Sequence, residues 1–461
     1  MDYSIKTERL YLLILTDRLI NIKCPERGME KAELLEILND WNFWNKEQET
    51  GIARPKYLKS IERMAKTGQI IVITGVRRSG KSTIMQQYTK HLISNGTLPK
   101  NILYVNFEDV RIKTIDPELL GQIYNLYLEH LQPTEKPCIL LDEVHKAPSW
   151  EKFARTLHEL KKAEIIVSGS NAQMLLGNIS SVLTGRHLDI EVYPLDFKEF
   201  LSFKGLTIKS ELDAVSQKQK IRPLLNEYQL YGGFPLVALQ ETKKELLQAF
   251  FEDIINKDIV ENHVVAHISK LKSLAKFYLT NAGKRVSFNS LSKTLLLSLD
   301  TVERYSYYLE EAYLLYFIKK FSYSVKEQER TMAVVYNIDN GIKSILGFNL
   351  SSDTGWLYQN IVANYLQQRF GKENLFYWMN ATQEEVDFIV KQGTKIKQLI
   401  QVCYSIENPD IKKREINSLL KASRELKCKD LLVITDDKEG TELKLGLKIH
   451  YMPLWKWLLI E

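Results

Sequence analysis

The eight residues GVRRSGKS, Gly75 to Ser82, are the part of this sequence whose types and spacing most clearly specify chemistry. They match the phosphate-binding pattern G-x-x-x-x-G-K-[ST], which needs a buried strand before it and a helix after it. Both are expected here: the apolar run IIVIT (70–74) precedes the loop, and a helix-like segment begins at Lys81. Gly75 and Gly80 let the backbone wrap an anion without Cβ clashes. Val76, Arg77, Arg78 and Ser79 complete the loop, and Ser82 and Thr83 open the helix whose N-terminus favours negative charge. Lys81 is placed to reach the β- and γ-phosphates of a nucleotide, and the Ser82 hydroxyl to ligate Mg²⁺.

A second set of groups lies in CILLDEVHKAPSW (138–150). An apolar strand ending in Asp142 would bring that carboxylate to the metal. Glu143 follows directly, and an acid there can orient and polarise an attacking water. The next apolar run, EIIVSGSN, ends in Ser170 and Asn171, either of which could touch a γ-phosphate or the water, although strand ends are often plain polar turns. In LTGRHLDIEVYPLDFKEF (183–200), Arg186 is the conspicuous charge. It reads equally as a surface arginine or as a group that stabilises transition-state charge, within the chain or from a neighbour.

These groups need a scaffold. At 461 residues the chain exceeds one ordinary core, and two to four domains are expected. Composition is globular, with 44% hydrophobic and 26% charged residues, so a disordered or low-complexity protein is excluded. The net charge of +6 permits nucleic-acid contact without arguing for it, since no long Lys/Arg block is present. The four cysteines (Cys24, Cys138, Cys403, Cys428) have no metal-knuckle or C-x-x-C spacing. Cys138 and Cys403 lie in apolar runs and are expected to be buried thiols in a reducing compartment. The opening RLYLLILTDRLINI is interrupted by Asp17 and Arg18 and is too short to span a bilayer. A soluble, cytoplasmic protein is expected.

Short apolar runs alternate with amphipathic segments from about 51 to 200, which predicts an α/β unit with a parallel sheet covered on both faces. An N-terminal helical extension (1–50) precedes it, with Trp41 and Trp44 expected to pack. A helical lid (201–265) follows. The stretch VSFNSLSKTLLLSLDTVERYSYYLEEAYLLYFI (286–318) predicts a winged helix-turn-helix within 266–350, and residues 351–461 predict a mixed α/β unit.

In order along the chain, GVRRSGKST, NFED (106–109), LDEVHKAPSWEK (141–152), SGSN (168–171), LTGRHLDIEVYPLDFKEF and YGGFPLVA (231–238) resemble prokaryotic AAA-family ATPases of the AAA+/STAND-like, archaeal-type (AAA_14-like) group. The resemblance covers nearly the whole chain from about residue 40. It implies a P-loop NTPase fold with a helical lid, a winged helix and a C-terminal PD-(D/E)XK nuclease-like domain of unknown function. It also implies ATP and Mg²⁺ held by Gly75, Gly80, Lys81 and Ser82, with Asp142 as metal-side acid, Glu143 as hydrolytic acid, Asn171 as sensor and Arg186 as finger. Ile52 and Arg54, just before the first strand, would lie against the adenine.

For the nuclease-like domain, EEVDF supplies Asp387 on a strand. By the resemblance, the first-helix acid falls on Gln359, and the E-x-K triplet falls on Gln401, Val402 and Cys403. One carboxylate with amides is a poor Mg²⁺ site, so an inactive domain is expected. The second helix of the helix-turn-helix carries one Arg against Glu303, Glu310 and Glu311, a weak surface for base readout. Three functions stay open: an ATP-driven switch on a protein or nucleic-acid partner, a DNA-binding ATPase in defence, mobile-element or repair work, and an ATP-gated nuclease. A homo-oligomer is compatible with each; membrane association is not expected.

Overall fold

The computed structural model describes residues 31–113, 115–169, 182–345 and 354–460. It divides into two compact units: one runs up to Glu49 and takes in Thr89–Val167, the other comprises Thr50–Tyr88 and Ser168 onward.

In the first unit, β2 (Ile102–Asn106), β3 (Cys138–Asp142) and β4 (Glu164–Ser168) pair in parallel, β2 with β3 and β3 with β4. Every residue of β3 is buried, as expected for a strand covered on both faces. Helices α4 (Leu119–Leu131) and α5 (Trp150–Glu159) connect the strands. Helix α1 (Lys31–Trp41) buries Leu34, Ile37 and Leu38. It is pinned where Asn42 donates to the Tyr104 carbonyl (2.8 Å) and accepts from the Tyr104 N–H (2.7 Å). The indoles of Trp41 and Trp44 donate to Asp109 and to the Ile102 carbonyl, so both tryptophans are packing residues with satisfied N–H groups.

In the second unit, β1 (Ile70–Thr74) is fully buried and pairs in parallel with β5 (His187–Glu191). It is preceded by α2 (Pro55–Ala65), with proline at its start, and followed by α3 (Lys81–Ser94). A helical stretch includes α6 (Phe197–Phe203), α7 (Lys218–Tyr231) and α8 (Lys243–Asp253). The order α9 (Ile268–Thr280), β6 (Arg285–Val286), α10 (Phe288–Leu295), α11 (Leu299–Glu311), β7 (Leu315–Lys320), β8 (Ala333–Asn337) follows. Ser298 caps α11 by accepting from the Thr301 N–H at 3.1 Å, so the helix starts two residues before Thr301. The C-terminal part runs α12 (Thr354–Phe370), β9 (Leu375–Met379), β10 (Glu385–Gln392), β11 (Lys395–Val402), α13 (Pro409–Leu426), β12 (Leu431–Thr435), β13 (Gly440–Lys444) and β14 (Leu447–Pro453). β9, β10 and β11 form an antiparallel meander, and β12 lies parallel to β11 after the α13 crossover. Because β7 pairs in parallel with β9, one nine-stranded sheet runs β13-β14-β12-β11-β10-β9-β7-β8-β6. Cys138, Cys403 and Cys428 are buried free thiols; Cys24 lies outside the described residues.

Candidate functional site: a phosphate loop and an acidic strand end

The loop leaves β1 at Thr74 and turns at Gly75, whose φ is +132°. A Cβ at this position would stand 2.1 Å from the Val192 carbonyl oxygen, so only glycine fits. The Ser79 N–H closes a turn on the Val76 carbonyl (3.2 Å), Arg78 takes φ +69° and Gly80 φ +99°. The helix then begins, with the Ile84 N–H donating to the Gly80 carbonyl at 2.9 Å. Ser82 and Thr83 stand in its first turn. Lys81 is buried, and its Nζ donates to the Gly75 carbonyl (2.9 Å) and the Val76 carbonyl (3.3 Å). Both acceptors are neutral, and a phosphate oxygen would be a stronger partner for the ammonium. The Ser79 hydroxyl is fully buried without a hydrogen-bond partner.

Three arginines brace this loop. Arg54, 2% exposed, donates to the Ser79 carbonyl (2.9 Å) and grips Glu199 with Nε (2.9 Å) and Nη2 (2.7 Å). Its position is set by Gln87 on α3, which accepts from the Arg54 N–H and donates to the carbonyls of Thr50 and Ile52. The segment 50–54 thus runs beside α3; Ile52 is exposed, and Arg54 is spent on the ion pair. Arg77 and Arg78 point to Asp258 and Asp253.

In the first unit, Asp142 closes β3 with 1% exposure and accepts from the Tyr104 hydroxyl at 2.7 Å. Burial, then the neighbouring Asp142 carboxylate, push the Tyr104 phenol well above its usual range, so it stays a donor. Glu143 is buried and left-handed (φ 51°, ψ 45°), a conformation that costs a glutamate roughly 1–3 kcal/mol. The His145 Nδ1 lies 3.3 Å from its carboxylate.

Asn171 and Ser170 lie outside the described residues. Arg186 immediately precedes β5, where its carbonyl accepts from the Ile70 N–H. This is the end of the β1–β5 pair opposite to the phosphate loop, about 13 Å along the strand.

A cavity of about 800 Å³ opens in the C-terminal part of the second unit, lined by Trp356, Gln359, Asp387, Gln401 and Glu415 among others. Gln359 donates to Asp387 (2.8 Å), the Val402 N–H donates to the other oxygen (2.7 Å), and Gln401 accepts from the Asp387 N–H (3.3 Å). Gln401 also donates to Glu415 (2.5 Å), which Arg414 grips. Burial, then the charges of Glu415 and Glu385, push the Asp387 carboxyl well above its usual range. Glu415 was not among the expected residues; it comes from α13, outside the strand pattern. Among the described residues, no group of three or more His, Cys, Asp or Glu could hold a metal ion, and no helix is long and apolar enough to cross a membrane.

Residues 67–201 match an AAA domain family, 222–354 a domain of unknown function (DUF8612) and 354–457 another (DUF4143). The chain is 32% identical to the uncharacterized protein MJ1544 of Methanocaldococcus jannaschii, over 87% of this chain and 90% of that one. It is 30% identical to an uncharacterized protein of Haemophilus influenzae, over 88% and 98% respectively. Among solved structures, the Walker-type ATPase PABY2304 of Pyrococcus abyssi aligns with TM-score 0.42 and 12% identity, over 67% of this chain and 99% of that one. AMPPCP-bound DnaA from Aquifex aeolicus aligns with TM-score 0.27 and 17% identity, over 59% and 93%. With a phosphate loop after a buried parallel strand, an AAA domain match over residues 67–201 and a relative 32% identical over 87% of this chain, the chain belongs to the same family as MJ1544 and carries an AAA domain.

Proposed function

We propose that the chain is a Mg²⁺-dependent ATPase that works as a nucleotide-driven switch on a protein or nucleic-acid partner. The observation that carries this reading is the loop at 75–82. Two positive-φ glycines, a buried lysine resting on backbone carbonyls and an immediate helix N-terminus form a ready anion site. Gly75 to Thr83 bind the phosphates, and Lys81 meets the β/γ oxygens. The hydroxyl of Ser82 and the carboxylate of Asp142 are hard oxygen donors of the kind Mg²⁺ takes, and the ion would neutralise charge on the transferred phosphoryl. Glu143, held in its strained conformation, orients the attacking water. Asn171 is the proposed γ-phosphate sensor. Arg186 is proposed to act from a neighbouring copy, since its backbone stands at the far end of β5; that role requires a homo-oligomer. Lys81→Ala should weaken ATP binding roughly 10²-fold, and Glu143→Gln should retain binding while abolishing turnover. Hydrolysis that survives Glu143→Gln would remove the assigned base.

The segment α9-β6-α10-α11-β7-β8 has the order of a winged helix, and α12, the β9–β11 meander, α13 and β12 have the order of a PD-(D/E)XK core. Both support the domain reading. The acidic α11 and the β7–β9 pairing favour a winged helix that joins the ATPase part to the C-terminal part over one that reads DNA. The amides of Gln359 and Gln401 around Asp387 support a domain without nuclease chemistry: no DNA cutting is expected with Mg²⁺ or Mn²⁺, and cutting lost in Asp387→Ala would refute this. The buried free thiols support a reducing, cytoplasmic setting.

A further inference from the structure

Two side chains of the phosphate loop pair with a single neighbouring segment. Arg77 places Nε 3.0 Å and 3.1 Å from the two carboxylate oxygens of Asp258, with the side chains 10% and 1% exposed. Arg78, at φ +69°, donates to Asp253 at 3.2 Å and lies 5.6 Å over the Phe250 ring. Both acids frame one stretch. Helix α8 ends at Asp253, and the chain continues through Ile254–Val260 as seven residues of π-helix. Such winding is rare, is mostly confined to single turns, and recurs at functional positions.

The stretch is held from two sides. Ile254, Ile255 and Ile259 are fully buried in a core shared with Leu271, Leu274 and Tyr278 of α9 and with Val302 and Tyr305 of α11. Opposite, Asp258 and Asp253 are held by the loop arginines; Lys257 adds a local pair to Asp253 at 3.1 Å. The guanidinium fork suits a phosphate as well as a carboxylate. A triphosphate in the loop therefore offers both arginines a second, more highly charged partner within the same few residues of backbone.

We propose that Arg77 and Arg78 form a phosphate-sensitive latch: without nucleotide they clamp residues 253–260 through Asp258 and Asp253, and a triphosphate bound at 75–82 draws guanidinium off the aspartates and releases that segment. The π-helical stretch is the element with two arrangements, since a freed segment can rewind toward α-helical pairing and turn the helices packed against its apolar face. The latch rests on the nucleotide reading of the loop, and it names how occupancy there would reach α9 and α11.

Hydrogen exchange on the full-length chain tests it, with Mg²⁺ and no nucleotide, ADP or a nonhydrolysable ATP analogue. Binding is followed on the same samples by anisotropy of a fluorescent nucleotide. Saturating analogue should speed amide exchange over 254–262 about tenfold, ADP less. Asp258→Asn should exchange fast without nucleotide, respond no further, and bind the analogue severalfold tighter because a competing anion is gone. Asp253→Asn, at a more exposed position, should show the same trend at smaller size and serves if Asp258→Asn does not fold. Saturated binding with unchanged or slower exchange over 254–262 overturns the latch alone. Absence of binding by the unaltered chain overturns the nucleotide reading and the latch with it.

Discussion

The loop at 75–82 and the cavity around Asp387 are both polar and largely buried, and they differ in where their hydrogen bonds end. In the loop, Lys81 rests on two backbone carbonyls, the Ser79 hydroxyl has no partner, and the backbone is held in conformations that favour glycine. In the cavity, Gln359, the Val402 N–H, Gln401 and Arg414 account for Asp387 and Glu415. An anion entering the loop improves on what Lys81 already has. A cation entering the cavity would have to displace amides that already satisfy the carboxylates, and would meet an Asp387 that burial keeps inclined to hold its proton. Residue types near a cavity are thus a poorer guide to chemistry than whether their bonds are already made.

Four substitutions would break or sharpen this contrast. The largest effect is expected from Gly75→Ala. Strain at φ +132° and the clash with the Val192 carbonyl should cost roughly 3 kcal/mol or more in denaturant unfolding. Next is Gln401→Glu, which sets a new carboxylate against Glu415 and beside Asp387. Stability near neutral pH should fall by roughly 2 kcal/mol, and Mn²⁺ should restore part of it if amides stand where metal ligands would. No metal response would mean that the cavity has no latent cation geometry.

The third concerns Asp339, which is 3% exposed. Its oxygens accept from the Gly233 N–H (2.6 Å) and the Gly341 N–H (2.8 Å). Gly233 lies two residues before Pro235, the nearest group to a Cβ built on Gly80 of the loop. Burial pushes the Asp339 carboxyl up to about 7, although the two N–H groups oppose this. A raised acid favours the folded state fully below its unfolded pKa of about 4, and that contribution is lost as pH rises through 7. Asp339→Asn should therefore flatten the fall in stability between pH 5 and 8 by an amount on the order of 1–2 kcal/mol. The smallest effect is expected from Tyr104→Phe: about 1 kcal/mol of stability from the lost bond to Asp142, with a modest drop in turnover.

The phosphate loop was legible because its requirements are local: glycines, a lysine and a serine at fixed spacing between an apolar strand and a helix. Asp387 was legible on the strand EEVDF and Gln359 only through the family resemblance, and they meet at 2.8 Å. Glu415 was not, because it reaches the cavity from α13 through a tertiary crossover that no spacing encodes. Nor were Asp253 and Asp258, which sit in FEDIINKDIV as ordinary helix charges until folding sets them opposite Arg78 and Arg77. Arg186 reads in sequence equally as a surface arginine or a finger, while its position before β5 puts its backbone at the strand end opposite the loop of its own chain.

Nucleotide binding by the loop at 75–82 and hydrolysis directed by Glu143 can be tested together. The most direct measurement is ATP affinity and phosphate release, made side by side on the unaltered chain, Lys81→Ala and Glu143→Gln with Mg²⁺. Binding and turnover in the first, binding weakened roughly 10²-fold in the second, and binding without turnover in the third are predicted. Equal ATP affinity in the unaltered chain and Lys81→Ala would contradict the account.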